Sequence, residues 1–382
     1  MKKLLWLAAL LFASTVQSQV IAPVDRQAVQ EVGESIARAL NERDKGAVAD
    51  LIDLRSLATR AARVLELGKA DQDAYVRGVE SVGGARLMEG LFRTLETSQG
   101  SARFMRLTDS RPVRALVRFD LGANGCDYLE YVVDASSGRP RIVDWFQLSS
   151  GQLISVTLGG IGQLFTTRDA GLLGRLLDIK SVDEEHMVRL RRIGELNRTG
   201  KYAEAVEQFH QLPEQIANAR IMLTMRSQAA SLGGMREEYD RTLATIAQKY
   251  SDDPATAFML IDHYFNVKDY PKALSSIDII EKRVGRDGVT TVLRAALHFA
   301  SGDLANALKH ADESIALEPD RLQGYDTRAS VLVGLGRHSD AVAAYRDMES
   351  RFDLKFTREI FTEDPTFEKF VASKEFRKWL PL

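Results

Sequence analysis

The chain has 382 residues, of which 51 are Lys or Arg and 53 are Asp or Glu, so its formal net charge at neutral pH is −2. A charge this close to zero argues against a nucleic acid or another polyanion held through bulk charge. Six histidines and one cysteine, Cys126, leave little for metal chemistry, and we predict no metal and no cofactor. A lone cysteine cannot form an internal disulfide, so packing must stabilise the fold.

The first 18 residues have the layout of a secretory signal peptide. Residues 1–3 are a short basic start, and residues 4–13 are an unbroken apolar run that is too short to span a membrane. Residues 16–18 are small or tolerated at the positions that a signal peptidase reads, so we expect cleavage before Gln19 and a periplasmic or secreted protein. The alternative is an apolar first helix of the mature domain. The remaining length suggests two domains.

Residues 24–148 are predicted to form an α+β domain. Apolar residues recur at helical spacing first, and after Gly100 the apolar period shortens to two, which is typical of strands. The predicted helices are 24–43, 47–57 and 71–95, and the predicted strands are 103–107, 113–121, 127–133 and 141–148. Helices followed by an antiparallel meander would lie on one face of a curved sheet. This order loosely resembles the nuclear transport factor two and cystatin-like folds, which include enzymes, ligand binders and dimerisation modules.

An enzyme built on this domain would need a pocket with an acid–base pair. No histidine precedes His186, so only carboxylates remain: Asp120, Asp127, Asp134 and Asp144. Asp144, beside Trp145, is the best single candidate, whereas carboxylates at strand ends are expected to be solvated. The chain lacks a Walker loop, a dinucleotide-binding glycine fingerprint, a Gly-x-Ser-x-Gly elbow and a His-Glu-x-x-His motif. We therefore predict that the protein is not an enzyme and has no catalytic residue. The alternative is an enzyme or small-ligand binder that uses a pocket in the N-terminal domain, with the repeats recruiting the substrate.

Arginines also concentrate in the predicted strands. We expect them to form a solvated face of the sheet, with an anion site as the alternative, and the arginines concerned are Arg103, Arg106, Arg114 and Arg118.

Residues 149–182 are predicted to be a helical connector. Residues 151–165 are apolar and contain Gly159, Gly160 and Gly162, and they are too few to span a bilayer. We expect them to form a helix that packs between the two domains, with membrane contact as the subordinate alternative.

A glycine followed five residues later by a small residue recurs every 34 positions from His186 to Lys355. The instances are Gly200 with Ala205, Gly234, Lys268 with Ala273, Gly302 with Ala307, and Gly336 with Ala341. Random composition does not keep phase over five periods. We therefore predict five helix–turn–helix repeats in residues 183–355.

The period and the residue types resemble the tetratricopeptide repeat. The first unit carries Tyr202, Ala205 and Phe209 before Pro213, and the last carries Tyr325, Ala329, Leu332, Gly336, Ala341 and Tyr345. The resemblance implies an all-α solenoid that acts as a protein-interaction module. Two departures predict irregular packing of the second and third units, since Lys268 replaces a turn glycine and Tyr239 stands where alanine is expected.

A column of arginines recurs in the same register, where the family prefers leucine. Its members are Arg192, Arg226, Arg294 and Arg328, and Leu260 interrupts it. We expect the stems to pack between helices while the guanidinium groups reach carboxylates or water, and the alternative is a site for an anionic partner.

In the tetratricopeptide family the second, fifth, sixth, ninth and twelfth positions of each unit line a groove. Here these groove positions are mostly apolar, and they lack the Lys, Asn and Arg set that binds C-terminal carboxylates. They include Met187, Leu190, Ile221, Met225, Phe258, Met259, Phe265, Val289, Val292, Leu293 and Phe299. An apolar surface of this size usually marks a contact. Either the connector or N-terminal domain fills the groove, or it binds an amphipathic or apolar segment of a partner protein.

The binding residues that we predict from these positions are Met225, Phe258, Met259, Phe265, Val292 and Phe299. Residues 356–382 are predicted to be a helical cap whose aromatic residues cover the apolar end of the last repeat, with a helix start at Asp364 and Pro365. The sequence thus predicts an exported, non-enzymatic interaction module of the bacterial cell envelope.

Overall fold

The computed structural model describes residues 24–65, 68–83, 89, 92–93, 95–122, 125–159 and 182–381. The predicted signal peptide and residues 160–181 of the predicted connector lie outside them. The chain divides into two compact units. The first contains the described residues up to Thr59 and Asp73–Phe146, and the second contains Arg60–Gln72 and the described residues from Gln147 onward.

The N-terminal unit begins with helices, as predicted. Helix α1 is amphipathic and buries Val29, Val32, Ile36 and Leu40, which recur at helical spacing. The helices are α1 Arg26–Asn41, α2 Lys45–Leu51, α3 Leu54–Val64 and α4 Lys69–Gly78, followed by a π-helical turn, Val79–Gly83.

The prediction of a single helix for residues 47–57 is wrong, because the helix is interrupted between α2 and α3. The backbone N–H of Asp53 donates to the carbonyl oxygen of Ile142 at 2.8 Å, which pulls this residue out of helical geometry. The Asp53 carboxylate then accepts a hydrogen bond from the N–H of Ser56 at 2.9 Å and caps α3. A distant partner of the backbone thus ends one helix and starts the next.

The helices are followed by an antiparallel sheet whose strands are neighbours in chain order, β1-β2-β3-β4-β5. The strands are β1 Ser101–Leu107, β2 Arg114–Asp120, β3 Cys126–Asp134, β4 Arg141–Gln147 and the two-residue β5 Gln152–Leu153. The predicted order of helices and then an antiparallel sheet is confirmed. Within the connector, residues 154–159 are helical, whereas its first residues form β5 rather than the predicted helix.

The expectation that the sheet arginines form a solvated face is wrong for Arg118. Residues 115–119 of β2 are all buried, so the strand has no solvent face. Arg118 is fully buried and pairs with Asp120 at 3.0 Å, while Arg114 pairs with the buried Glu130, also at 3.0 Å. A buried guanidinium needs a carboxylate partner, and the sheet supplies Asp120 to the buried Arg118.

The second unit contains five consecutive helix pairs, one for each predicted 34-residue unit. We call these units repeats 1 to 5, and they cover residues 186–219, 220–253, 254–287, 288–321 and 322–355. The pairs are α5 Glu184–Arg198 with α6 Tyr202–His210, α8 Arg220–Leu232 with α9 Arg236–Lys249, α10 Ala257–Asn266 with α11 Tyr270–Val284, α12 Gly288–Ala300 with α13 Leu304–Leu317, and α14 Leu322–Gly334 with α15 His338–Phe352. A short helix, α7 Glu214–Ala217, joins repeats 1 and 2.

The recurring glycine has the conformation that the turn requires. Gly200, Gly234, Gly302 and Gly336 all have a positive φ, between 67° and 84°. Lys268, which replaces the third glycine, adopts the same left-handed conformation with φ 59°. The small residues of the second helices, such as Ala307 and Ala341, are fully buried where the paired helices meet. Both the period and its physical basis are confirmed.

After repeat 5 the chain forms a helical cap: α16 Arg358–Thr362, a 3₁₀ turn Pro365–Phe367, α17 Glu368–Val371 and α18 Lys374–Trp379. Asp364 caps the 3₁₀ turn by accepting from the N–H of Thr366 at 2.9 Å. Phe361, Phe370 and Phe376 are fully buried against repeat 5 residues such as Tyr345, on which Trp379 stacks at 5.5 Å. The predicted aromatic covering of the last repeat is confirmed.

Candidate protein-binding surface of the repeats

The predicted binding residues lie on the first helices of repeats 2, 3 and 4, which are α8, α10 and α12. Phe265 and Phe299 keep 46% and 37% of their surface exposed. The other four are half-buried: Met225, Phe258, Met259 and Val292. Met259 is held between repeats, since the Ser227 hydroxyl donates to its sulfur at 3.5 Å.

The groove positions of repeat 1 differ from this picture. Met187 and Leu190 are buried in a cluster that contains Val182 and Phe209, so they are core residues and not an open surface. Val289 of repeat 4 is buried as well. The helical period identifies which face of α5 is apolar, but it carries no information on what covers that face.

A run of exposed apolar side chains follows the C-terminal ends of the first helices in repeats 2 to 5. Each member is one of the last two residues of its helix or the residue immediately after it. We call this set the apolar edge, and it consists of Leu232, Phe265, Val267, Phe299 and Leu335. It contains five of the nine large apolar residues that are exposed in the described part of the chain. Such a concentration in adjacent repeats is typical of a contact surface.

Two aromatic rings of the apolar edge pack against neighbouring groups of the solenoid. A Cβ built on Gly334 would lie 3.0 Å from the ring of Phe299, so this ring rests directly on the backbone of repeat 5. In repeat 3 the Phe265 ring meets Tyr270 edge-on at 6.2 Å. Both rings are therefore held in place while one face stays open.

A cleft of about 330 Å³ adjoins the edge between repeats 2 and 3. It forms where Tyr239 occupies the position at which the other repeats carry alanine. Its lining is Ala230, Ser231, Gly234, Met235, Arg236, Tyr239, Asp262, Phe265 and Asn266. The cleft lies at the second and third repeats, the part of the solenoid for which the sequence predicts irregular packing.

Two carboxylates accompany the apolar side chains. At the groove positions of repeats 2 to 5 the only charged residues are Asp262 and Asp326. Both residues are exposed at the surface, and partial desolvation raises the pKa of their carboxyl groups above the usual value. Water solvates both carboxylates, and no described side chain forms an ion pair or a hydrogen bond with either of them.

The arginine column is paired within the solenoid. In repeats 1 and 2 the carboxylate partner belongs to the same repeat, and in repeats 4 and 5 it belongs to the second helix of the preceding repeat. The pairs are Arg192 with Glu195 at 3.0 Å, Arg226 with Glu238 at 2.5 Å, Arg294 with Glu281 at 2.7 Å and Arg328 with Asp312 at 2.6 Å. The expectation that stems pack while guanidinium groups meet carboxylates is confirmed for Arg226 and Arg294, whereas Arg192 is exposed and meets its carboxylates at the surface.

The carboxylates considered for catalysis are engaged locally. Asp144 is buried, and its carboxylate accepts from the backbone N–H of Trp145 at 2.9 Å. The expectation of solvated strand-end carboxylates is wrong, because Asp127 and Asp134 are buried and cap neighbouring backbone N–H groups. Within the described residues no group of three or more His, Cys, Asp or Glu side chains is placed to hold a metal ion. The described helices include none whose length and apolar character would carry it across a bilayer.

No protein-family model and no curated protein matches this sequence. Among solved structures, the chain is similar to MamA of Desulfovibrio magneticus RS-1 from its residue 41 onward, with 12% identity over 45% of this chain and 98% of that chain and a TM-score of 0.39. It is also similar to PilW, a type IV pilus biogenesis factor, with 9% identity over 52% and 91% of the two chains and a TM-score of 0.39. A tetratricopeptide repeat protein of Parabacteroides merdae ATCC 43184 gives 14% identity over 59% and 82% of the chains and a TM-score of 0.38.

Similarities at these scores do not extend to function. The 34-residue helix pairs, their left-handed turn residue and their buried small residues define the second unit by themselves. Residues 186–355 of this unit form a solenoid of five helix pairs with the features of tetratricopeptide repeats.

Proposed function

We propose that this chain is an exported, non-enzymatic interaction protein of the bacterial cell envelope, and that its repeats bind an apolar or amphipathic segment of a partner protein. The basic and apolar start of the sequence supports export. The binding surface combines the apolar edge with the half-buried groove residues Met225, Phe258, Met259 and Val292. Binding here needs neither a metal nor a cofactor.

The observation that carries this proposal is the exposure of Phe265 and Phe299 on adjacent repeats. Burying a large apolar side chain stabilises a complex by roughly 1.5–3 kcal/mol. Aromatic residues held in position before binding lose little conformational entropy, so they retain most of that free energy. Methionines beside them, such as Met225 and Met259, adapt to the shape of a bound segment.

The test compares capture of proteins from an envelope extract by the mature protein and by the double variant Phe265→Asp/Phe299→Asp. The matched control is Leu317→Asp, which places the same charge on an exposed apolar residue of the second helix of repeat 4. We expect the double variant to lose a protein that the wild type and the control both capture, with the melting temperature unchanged. Equal capture by all three proteins would contradict the proposal, as would a large fall in melting temperature of the double variant, which would make the two rings core residues.

A pocket of the N-terminal unit is the second candidate, in which the repeats would recruit a substrate or ligand. Its best residue, Asp144, is buried with its carboxylate bonded to the adjacent backbone, and this favours a role in the fold.

A further inference from the structure

The cleft between repeats 2 and 3 lies at the twelfth position of the 34-residue unit, where the repeats carry different side chains. This position is Phe265 in repeat 3 and Phe299 in repeat 4. In repeat 2 it is Ser231, an exposed residue that lines the cleft. Repeat 2 thus lacks the aromatic ring that the next two repeats carry.

Where repeats 4 and 5 join, the ring of Phe299 occupies the corresponding space. A Cβ built on Gly334 would lie 3.0 Å from the Phe299 ring and 3.7 Å from the Leu304 side chain, so these three residues meet at one point. Their counterparts two repeats earlier all line the cleft, and they are Ser231, Asn266 and Arg236. The cleft is therefore a space that a phenylalanine fills elsewhere in the solenoid.

The cleft has the size and the walls that an aromatic ring needs. Its volume is about 330 Å³, and an apolar cavity of about 150 Å³ already admits benzene. Phe265, which is 46% exposed, and the half-buried Tyr239 offer aromatic surface, while Met235 offers a thioether that packs well against a ring. The guanidinium of Arg236, whose Nε donates to Asp240 at 3.1 Å, also lines the cleft and can stack on an aromatic face. These walls favour an aromatic side chain over an aliphatic one.

We propose that this cleft binds one aromatic side chain of the partner segment, which takes the place that Phe299 has between repeats 4 and 5. The inference rests on the proposed function of the apolar edge. Phe265 belongs both to that edge and to the wall of the cleft, so one segment can contact both. The partner is then an apolar or amphipathic segment with at least one aromatic residue.

A single segment fits this surface better than a second copy of the chain does. At about 200 Å² for a large apolar side chain, the exposed fractions of the five residues of the apolar edge amount to roughly 500 Å². A stable dimer buries about 800 Å² on each partner. The edge falls short of that area, whereas one bound segment can cover it.

The test uses three synthetic helical peptides that share one leucine-rich face and differ only at one central position of that face, which is Phe, Leu or Ala. Their binding is measured by fluorescence anisotropy against the mature protein and the variants Ser231→Phe and Ser231→Ala. Ser231→Phe gives repeat 2 the residue that repeats 3 and 4 carry, so the cleft is filled from within. Ser231→Ala is the matched control, because it changes the same residue and leaves the cleft open.

We expect the wild type to bind the Phe peptide roughly tenfold more tightly than the Ala peptide, which corresponds to about 1.4 kcal/mol, with the Leu peptide between them. Ser231→Phe should abolish this preference, and Ser231→Ala should keep it. The melting temperature of Ser231→Phe should equal or exceed that of the wild type, because the added ring enters a space that is already present.

Equal affinity of the wild type for the Phe and Leu peptides, or a preference for Phe that Ser231→Phe retains, would overturn the aromatic site while the apolar edge remains a binding surface. A large fall in the melting temperature of Ser231→Phe would also overturn the site, since the space would not accommodate a ring. The Ala peptide tests the apolar edge separately, and its binding should be lost in Phe265→Asp/Phe299→Asp. Binding of the Ala peptide that survives this double variant, or no binding of any peptide to the wild type, would overturn the apolar edge, and the aromatic site would fall with it.

Discussion

Replacing Phe370 by alanine should detach the C-terminal cap from repeat 5. The side chain is fully buried, and its ring centroid lies 5.1 Å from that of Phe376, 5.9 Å from Phe361 and 6.0 Å from Tyr345. Truncation of a buried phenylalanine to alanine costs about 3–5 kcal/mol, through lost transfer free energy and the cavity that remains. Because each repeat of a solenoid contacts only its neighbours, this cost should fall on repeat 5 and the cap.

Tryptophan fluorescence can follow this region separately from the rest. The chain has three tryptophans, of which Trp6 precedes the predicted cleavage site and Trp145 lies in β4, so a Trp145→Phe background leaves Trp379 as the reporter of the cap. In urea, we expect Phe370→Ala to shift the Trp379 transition to lower denaturant than the loss of helical circular dichroism. In the parent protein the two should be closer together.

The control is Ile360→Ala, which truncates an exposed residue of the same cap and should change the free energy of unfolding by less than about 0.5 kcal/mol. If Phe370→Ala lowers the free energy by less than about 1 kcal/mol, or if both probes report one unshifted transition, the argument that the aromatic cluster seals the solenoid is refuted.

Two further predictions concern the stability of the repeats. Lys268→Gly should stabilise the protein by roughly 0.5–1 kcal/mol, because glycine adopts the left-handed backbone at φ 59° without strain. Gly302→Ala should destabilise the protein by about 1 kcal/mol through backbone strain alone, since no atom lies within 4 Å of the added Cβ. Urea unfolding that ranks the two variants in the opposite order would contradict this. Burial acts to raise the pKa of Glu238, but the hydrogen bond and charge of Arg226 outweigh it and hold that pKa below its usual value. The ion pair therefore stabilises the folded protein above about pH 4.3, and this stabilisation is lost as pH falls through the folded-state pKa. Arg226→Met should therefore cost about 3 kcal/mol at pH 7 and less at pH 3.5, and a cost that does not depend on pH would show that the ion pair is not its source.

The repeats could be predicted from the sequence because their signal is local and periodic. The turn glycine, the small residue five positions later and the helical spacing all recur in one register, and even Lys268 adopts the conformation of the glycine it replaces. The cap could be predicted for a similar reason, since the aromatics after Asp364 follow a helix start signal. Each of these features depends on residues that are close together along the chain.

The features that sequence reasoning missed depend on distant contacts. The break between α2 and α3 comes from a bond between Asp53 and Ile142, and no pattern around either residue encodes it. The buried Arg118 belongs to a strand without a solvent face, which alternation alone does not reveal.

Part of the candidate surface was missed although a signal existed. Phe265 and Phe299 were predicted from the groove positions, but Leu232, Val267 and Leu335 lie one or two positions further along and complete the apolar edge. An alignment of the exposed helix ends in the 34-residue register would have found them. The cleft had two signals, Tyr239 in place of alanine and Asp262 at a groove position, which become meaningful only when the two repeats are placed side by side.

The central claim is that the apolar edge contacts a partner protein, and site-specific photo-crosslinking tests it most directly. A benzoyl-phenylalanine is placed at Phe265 in the exported protein in cells, and in a separate control at Leu317, which is equally exposed on a second helix. Irradiation should give a discrete crosslinked protein from position 265 and none from position 317. Crosslinks from both positions alike, or none from position 265 in protein that has reached the envelope, would contradict the account.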